Sequence, residues 1–242
     1  RTKAGLGQYI AKNNLVLKFA VKEILRKASC PTAITDQRLK RVARWLVENR
    51  RLVMFYPWQP LQNKVTLKTD SDYAGTEDFR STTCVLALHG VHYLMGLSVT
   101  QPLESLSVTE SEFYAEVRGC VEGVYIKNVL EFWGHDVTLE LQSDNSAART
   151  IMQRLGSGKK TRHISTKFFW VQRLVKDGLL SVRAIPGKEN EAAIGTKHLP
   201  AKDIARILQK LNMFLLPATA CAAAWPIRPP PPSIGERDVA CK

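Results

Sequence analysis

The stretch Val65-Thr-Leu-Lys-Thr-Asp70 alternates apolar and polar side chains, then breaks at Ser71-Asp72-Tyr73-Ala74-Gly75. A period of two is that of a half-buried strand, and Gly75 tolerates the turn that ends it. An acid at a strand end is held by the sheet behind it, a rigid place for a cation. Two further acids can come to the same place: Glu110, at the start of a long amphipathic pattern, and Asp144, just after the strand-like Val137-Thr-Leu-Glu-Leu141. Oxygen ligands from two strand ends and a helix suit a hard divalent cation, with Mg2+ favoured and Mn2+ as its substitute. Such a centre serves metal-assisted phosphodiester hydrolysis.

On either side of this stretch the periodicity sets the rest of the fold. Residues 1 to 63 read as a basic helical segment. Leu15, Leu17, Phe19, Ala20, Ile24 and Leu25 recur at helical spacing, and Thr35-Asp36 can cap a second helix through Leu39, Val42, Leu46 and Val47. The other face of that second helix carries Arg38, Lys40, Arg41 and Arg44. Pro57 and Pro60 mark a connector. Two strand-like runs, 81–88 and 91–97, then meet at His89-Gly90, a short hairpin signal. Ser107-Val-Thr-Glu110 has capping-box spacing and opens a helix that ends at Gly134. Its stripe of Phe113, Val117, Cys120, Val124 and Trp133 is assigned to the core, as is Trp170. A strand at 137–141, a short helix after Asp144, a basic loop at 156–160, a helix around Phe168 to Leu174, a strand at 179–185 and a helix at 203–213 complete the order. The class is α/β, one mixed sheet with helices packed on it, spanning residues 64–213. Residues 214–242 turn to Ala and Pro and read as an extended or disordered tail.

Net charge is +13 with pI near 9.7, which points to an anionic partner such as nucleic acid or a membrane surface. Fourteen Lys and Arg through Lys64 face only Glu23, Asp36 and Glu48, so roughly +11 of that charge lies in the first quarter. A solvated helix face and a phosphate-facing surface both account for it. No window reaches the ~18 apolar residues of a membrane span. No signal-peptide pattern opens the chain, and a start at Arg1 is expected of a fragment or processed product. Five scattered cysteines without a Cys-x-x-Cys pair fit neither a disulfide framework nor a zinc site, and point to a reducing compartment such as cytoplasm or nucleus.

Several motifs now fall in one order: Asp70-Ser-Asp-Tyr-Ala-Gly75, Arg80-Ser-Thr82, Gln101, Leu106-Ser-Val-Thr-Glu-Ser-Glu-Phe-Tyr-Ala115, Asp144-Asn-Ser-Ala147, Thr161-Arg-His-Ile164 and Gly195-Thr-Lys197. They resemble the ribonuclease H domain of copia-type retrotransposon polyproteins. The basic segment is similar to the part of those polyproteins that links reverse transcriptase to ribonuclease H, although no reverse-transcriptase Asp-Asp motif is present. The resemblance implies hydrolysis of the RNA strand of RNA–DNA hybrids, a reverse-transcriptase domain as partner, and Asp70, Glu110 and Asp144 as catalytic metal ligands. Two ions ~3.5–4 Å apart would serve the attacking water and the leaving oxygen, with Asp70 as the bridging ligand.

Each carboxylate also has a plainer reading. Glu110 fits the reciprocal arm of a capping box, Asp144 an N-cap, and Asp70 a turn residue. Asp72, Glu112 and Glu116 read as solvated neighbours. Lys159, Lys160, Arg162, Arg41 and Arg44 are candidate phosphate contacts. His163 is either a proton shuttle or phosphate contact, or a structural residue. The resemblance also has a gap, because Ala193 in Ala192-Ala-Ile-Gly-Thr-Lys197 stands where a fourth carboxylate is expected. Ser165 likewise replaces an expected Asp. The activity is therefore expected to be impaired, and the alternative is a catalytically inactive nucleic-acid-binding module.

Overall fold

The computed structural model describes residues 2–216. Three helices open it: α1 (Thr2–Ala11), α2 (Leu15–Arg26) and α3 (Ala33–Glu48). The cap of α3 is Thr32, whose hydroxyl accepts from the Thr35 amide, so the cap lies three residues before the expected Thr35. A short strand β1 (Arg51–Met54) and the connector lead to β2 (Lys64–Asp72), β3 (Thr82–His89) and β4 (His92–Thr100). The long helix α4 (Val108–Phe132) follows, then β5 (Thr138–Ser143), α5 (Ser146–Gln153), α6 (Trp170–Lys176), β6 (Leu180–Ala184), α7 (Ala201–Lys210) and β7 (Met213–Leu216).

The main sheet has the order β4-β3-β2-β5-β6. Its first three strands form an antiparallel meander, while β5 runs parallel to β2 and β6 parallel to β5. This is the mixed sheet, with helices packed on it, that the periodicity predicts. Strand pleating sends alternate side chains to opposite faces. Val65, Leu67 and Ala87 thus join Phe113, Val117 and Cys120 of α4, Ala148, Ile151 and Met152 of α5, and Val171 of α6. On the other face Cys84, Leu86 and Leu88 meet Leu15 of α2, Ile194, Ile207 and Leu208 of α7, and Met213.

Leu15, with 1% of its surface exposed, carries the basic segment into this second core. Strand β1 also pairs antiparallel with β7, from Arg51↔Leu216 to Met54↔Met213. Residues 1–63 and 64–213 therefore share buried side chains across the expected boundary. The start of the expected tail, through Leu216, is strand, while residues 217–242 lie outside the described residues. The two short strands escape a reading by period, since four residues give too few alternations to register.

Two core assignments are corrected. Trp133 is 66% exposed and Trp170 36% exposed. The buried positions of α4 end at Gly123, so its last turns outrun the sheet and carry Phe132 and Trp133 into solvent. Among the described residues no helix is long and apolar enough to cross a membrane.

Candidate metal centre

Strands β2 and β5 are last paired at Lys68↔Gln142, and each carries an Asp two residues further on. Asp70 and Asp144 therefore stand side by side at the carboxyl ends of neighbouring parallel strands, where sheets of this kind form crevices. The third acid comes from α4 and is Glu112. Asp70, Glu112 and Asp144 each offer an oxygen within 4.8 Å of the other two. The plainer reading of Asp144 as an N-cap does not hold, because the Asn145 side chain caps α5 by accepting from the Ala148 amide at 2.9 Å.

Glu110 does not join this group. Its Oε2 accepts from the Leu106 amide at 2.9 Å and lies 3.0 Å from His163 Nε2, and its Oε1 accepts from the Tyr114 hydroxyl at 2.7 Å. The Ser107 hydroxyl meanwhile accepts from the Glu110 amide. Glu110 thus orders the helix start, but its carboxylate reaches the Leu106 amide and not that of Ser107, so the reciprocal arm of a capping box is not formed. At 3.6 residues per turn, positions 110 and 112 point about 200° apart, so only one can face Asp70. The signal that selects Glu112 is a line of small residues in phase with it. A Cβ on Gly119 would lie 2.7 Å from Thr69 Cγ2, and one on Gly123 would lie 2.5 Å from Leu67 Cδ1. Glu112, Glu116, Gly119 and Gly123 are spaced to share one helix face, and that face lies against β2.

The electrostatics suit a cation. Burial, together with the charges of Asp70 and Asp144, pushes the Glu112 carboxyl up to about 9. Its Oε2 is buried and has no hydrogen-bond partner. Burial also raises Asp70, against the hydroxyl of Thr196 and the ammonium of Lys197. The Thr196 hydroxyl donates to Asp70 Oδ2, and Lys197 Nζ lies 3.8 Å from the same oxygen. By contrast, Glu110 is held below the ordinary range: burial opposes ionisation, but Tyr114, the Leu106 amide and His163 outweigh it. Three crowded acids with an orphaned buried oxygen and no His or Cys in the group fit a hard divalent ion.

Ala193 lies in a short 3-10 turn, Glu191–Gly195, fastened beside Asp70. The Asn190 side chain donates to the Thr69 carbonyl at 2.7 Å, and the Ser98 hydroxyl donates to the Gly195 carbonyl at 2.5 Å. Neighbouring acids do not fill the gap that Ala193 leaves. Glu191 is buried against Lys68 and Lys210, and Glu189 is exposed. Asp72 is half-buried at the end of β2, where burial raises it against the charges of Lys197 and Lys22.

The basic candidates lie in two places. Lys159, Lys160, Arg162 and His163 are exposed on one loop. Buried Thr161 braces that loop from within, accepting from Arg154 Nη2 at 2.6 Å and from the Gly158 amide at 3.0 Å. The His163–Glu110 contact ties the loop to α4 two residues from Glu112. On the other side Arg41 shares the lining of a cavity of about 220 Å³ with Phe19, Lys197 and His198. Arg44 is exposed on α3 and is not among the lining residues.

No protein-family model matches the chain. A curated relative, the "Retrovirus-related Pol polyprotein from transposon TNT 1-94" of Nicotiana tabacum, is 30% identical over 134 residues, covering 54% of this chain and 10% of the polyprotein. Over those residues the chain is similar to a retrotransposon Pol polyprotein. It spans about a tenth of the length of that relative. Among solved structures, the LC11 ribonuclease H1 isolated from compost by a metagenomic approach aligns at 15% identity, covering 61% of this chain and 99% of its own, with a TM-score of 0.42. The same enzyme in complex with RNA/DNA hybrid aligns at 15% identity, covering 55% and 93%, with a TM-score of 0.43.

Proposed function

We propose that this chain is a divalent-metal-dependent ribonuclease H that cleaves the RNA strand of RNA–DNA hybrids, with Asp70, Glu112 and Asp144 as ligands. The observation that carries the reading is the convergence of these three carboxylates at the carboxyl ends of two parallel strands. A Mg2+ or Mn2+ ion held there would polarise the scissile phosphate and lower the pKa of a bound water. The chain's own residues do the rest. Asp70 is held by Thr196, whose hydroxyl donates to its Oδ2. Lys159, Lys160 and Arg162 fit backbone phosphates on one side of the centre, and Arg41 fits them on the other. Phosphate contacts of this kind set register without reading sequence. A reverse-transcriptase domain is the natural partner for a chain similar to a tenth of a Pol polyprotein.

Ala193 favours a second reading, in which the same surface binds hybrid with little or no turnover. That reading predicts salt-sensitive affinity, as expected of phosphate contacts, without cleavage. The deciding measurement is cleavage of a labelled RNA–DNA hybrid in Mg2+ and in Mn2+. On the enzyme reading the parent cuts, and Asp70→Asn or Glu112→Gln abolishes cutting. Glu110→Gln keeps most of the rate, since Glu110 orders the helix start and the His163 loop. Loss of activity in Glu110→Gln with retention in Glu112→Gln would overturn the ligand assignment. Binding without cleavage by the parent would establish the second reading instead.

A further inference from the structure

We infer that the centre takes one divalent ion, not two, and that the Lys197 ammonium stands where the second would bind. The inference rests on the proposed role of Asp70, Glu112 and Asp144 as ligands, and extends it to the other side of Asp70.

A second ion shared through Asp70 needs a free oxygen on Asp70 and an acid facing it from the Glu191–Gly195 turn. Neither is present. Asp70 Oδ2 already receives the Thr196 hydroxyl and faces Lys197 Nζ at 3.8 Å. Mg2+ would bond that oxygen at ~2.0–2.1 Å and demand an octahedral shell around itself. The Thr196 hydroxyl and the ammonium occupy that space. The turn contributes Ala193, which has no oxygen to give.

Lys197, whose side chain is half exposed, acts on more than one acid. Its charge acts on both Asp70 and Asp72, and it lines one cavity of about 200 Å³ together with Asp72, Gly75 and Thr82. Thr196, the residue before it, is fully buried and anchored on Asp70, which fixes the base of the Lys197 side chain. Glu116 cannot serve as the missing ligand on this side. It lies on the Asp144 side of the cluster, among Ser143 and Arg149. The positive charge that a second ion would bring is thus built into the chain as an ammonium. It does not lower the pKa of a bound water as a metal ion does, but it offsets the charge of Asp70.

The test is Mn2+ binding by the purified full chain, read by calorimetry for stoichiometry and by electron paramagnetic resonance for coupling between ions. One Mn2+ per chain, with an uncoupled spectrum, is expected for the parent. Lys197→Met should admit a second, weaker ion between Asp70 and Asp72. Ala193→Asp combined with Lys197→Met should bind two, with a spin-coupled spectrum. Two ions on the parent would overturn the one-ion centre while leaving the ligand assignment intact. Should Lys197→Met and the double variant, both shown folded by circular dichroism, still bind one, Lys197 is not what excludes the second. No binding by the parent would overturn both the inference and the proposed function.

Discussion

Glu116 follows Glu112 by one turn of α4, has no exposed surface, and has no hydrogen-bond partner for either carboxylate oxygen. Burial pushes its carboxyl up to about 8, against the pull of nearby Ser143 and Arg149, neither of which is placed to hydrogen-bond it. Glu112 stands higher still, at about 9. An unfolded chain releases both protons near the ordinary 4.5, whereas the folded one keeps them. The stabilisation is therefore complete below pH 4.5 and is lost as pH rises through about 8 to 9, because the unfolded state binds fewer protons in that window. Each group contributes at most ~1.4 kcal/mol per pH unit. Urea melts of the metal-free protein at pH 5, 6.5 and 8 should show stability falling with pH, and Glu116→Gln should flatten the slope. A slope unchanged in Glu116→Gln would mean that the side chain is ionised inside the fold. At this scale the sequence was only partly legible. Asp70 and Asp144 can be placed by counting along strands, but the choice between Glu110 and Glu112 turns on helix rotation. The apolar stripe through Phe113, Val117 and Cys120 passes through Glu110, and nothing in it reveals that the strand lies closest along the neighbouring line of glycines.

At the scale of elements, the close approach of α4 to β2 sets the distance between Glu112 and Asp70. Gly119 and Gly123 permit that approach, since each would place a Cβ inside contact distance of a β2 side chain. Thr69 is fully buried and β-branched, so it has little room to turn away from a methyl at position 119. Gly119→Ala should therefore destabilise, the overpacking cost of ~1–3 kcal/mol exceeding the helix-propensity gain of ~1 kcal/mol. Gly5 in α1 has nothing within 4 Å of an added Cβ, so Gly5→Ala should stabilise by up to ~1 kcal/mol. Opposite shifts in melting temperature for one and the same substitution would locate the helix–sheet contact; equal shifts would deny it. The elements themselves were legible because period changes from helical to alternating at Val65 and back after Ser107. Legibility failed where elements are four residues long, as in β1 and β7, and where α4 runs past the sheet that its pattern suggested would cover it.

At the scale of the molecule, the basic segment is part of the fold that presents the centre. Leu15 is buried with Cys84, Leu86 and Tyr93, and β1 is hydrogen-bonded to β7. Arg26 and Lys27 pair with Asp78 and Glu77 in the loop after β2, and Lys22 donates to the Thr82 hydroxyl at 2.7 Å. These contacts brace the strand end that carries Asp70 and Asp72. The exposed ion pairs add little, as surface pairs do. The buried apolar contacts carry the coupling, at ~1.5–3 kcal/mol for each large side chain taken out of water. A chain cut to residues 64–216 should lose several such contacts at once, and leave the face around Leu86 and Tyr93 open. Its melting temperature should fall well below that of the 1–216 chain, with new binding of a hydrophobic dye. Because Lys197 and His198 sit against Phe19 of α2, with the Phe19 and His198 rings 5.0 Å apart, Mn2+ affinity should fall as well. If the truncated chain melts and binds metal as the longer one does, residues 1–63 are a separate unit, and their charge acts on nucleic acid without shaping the centre.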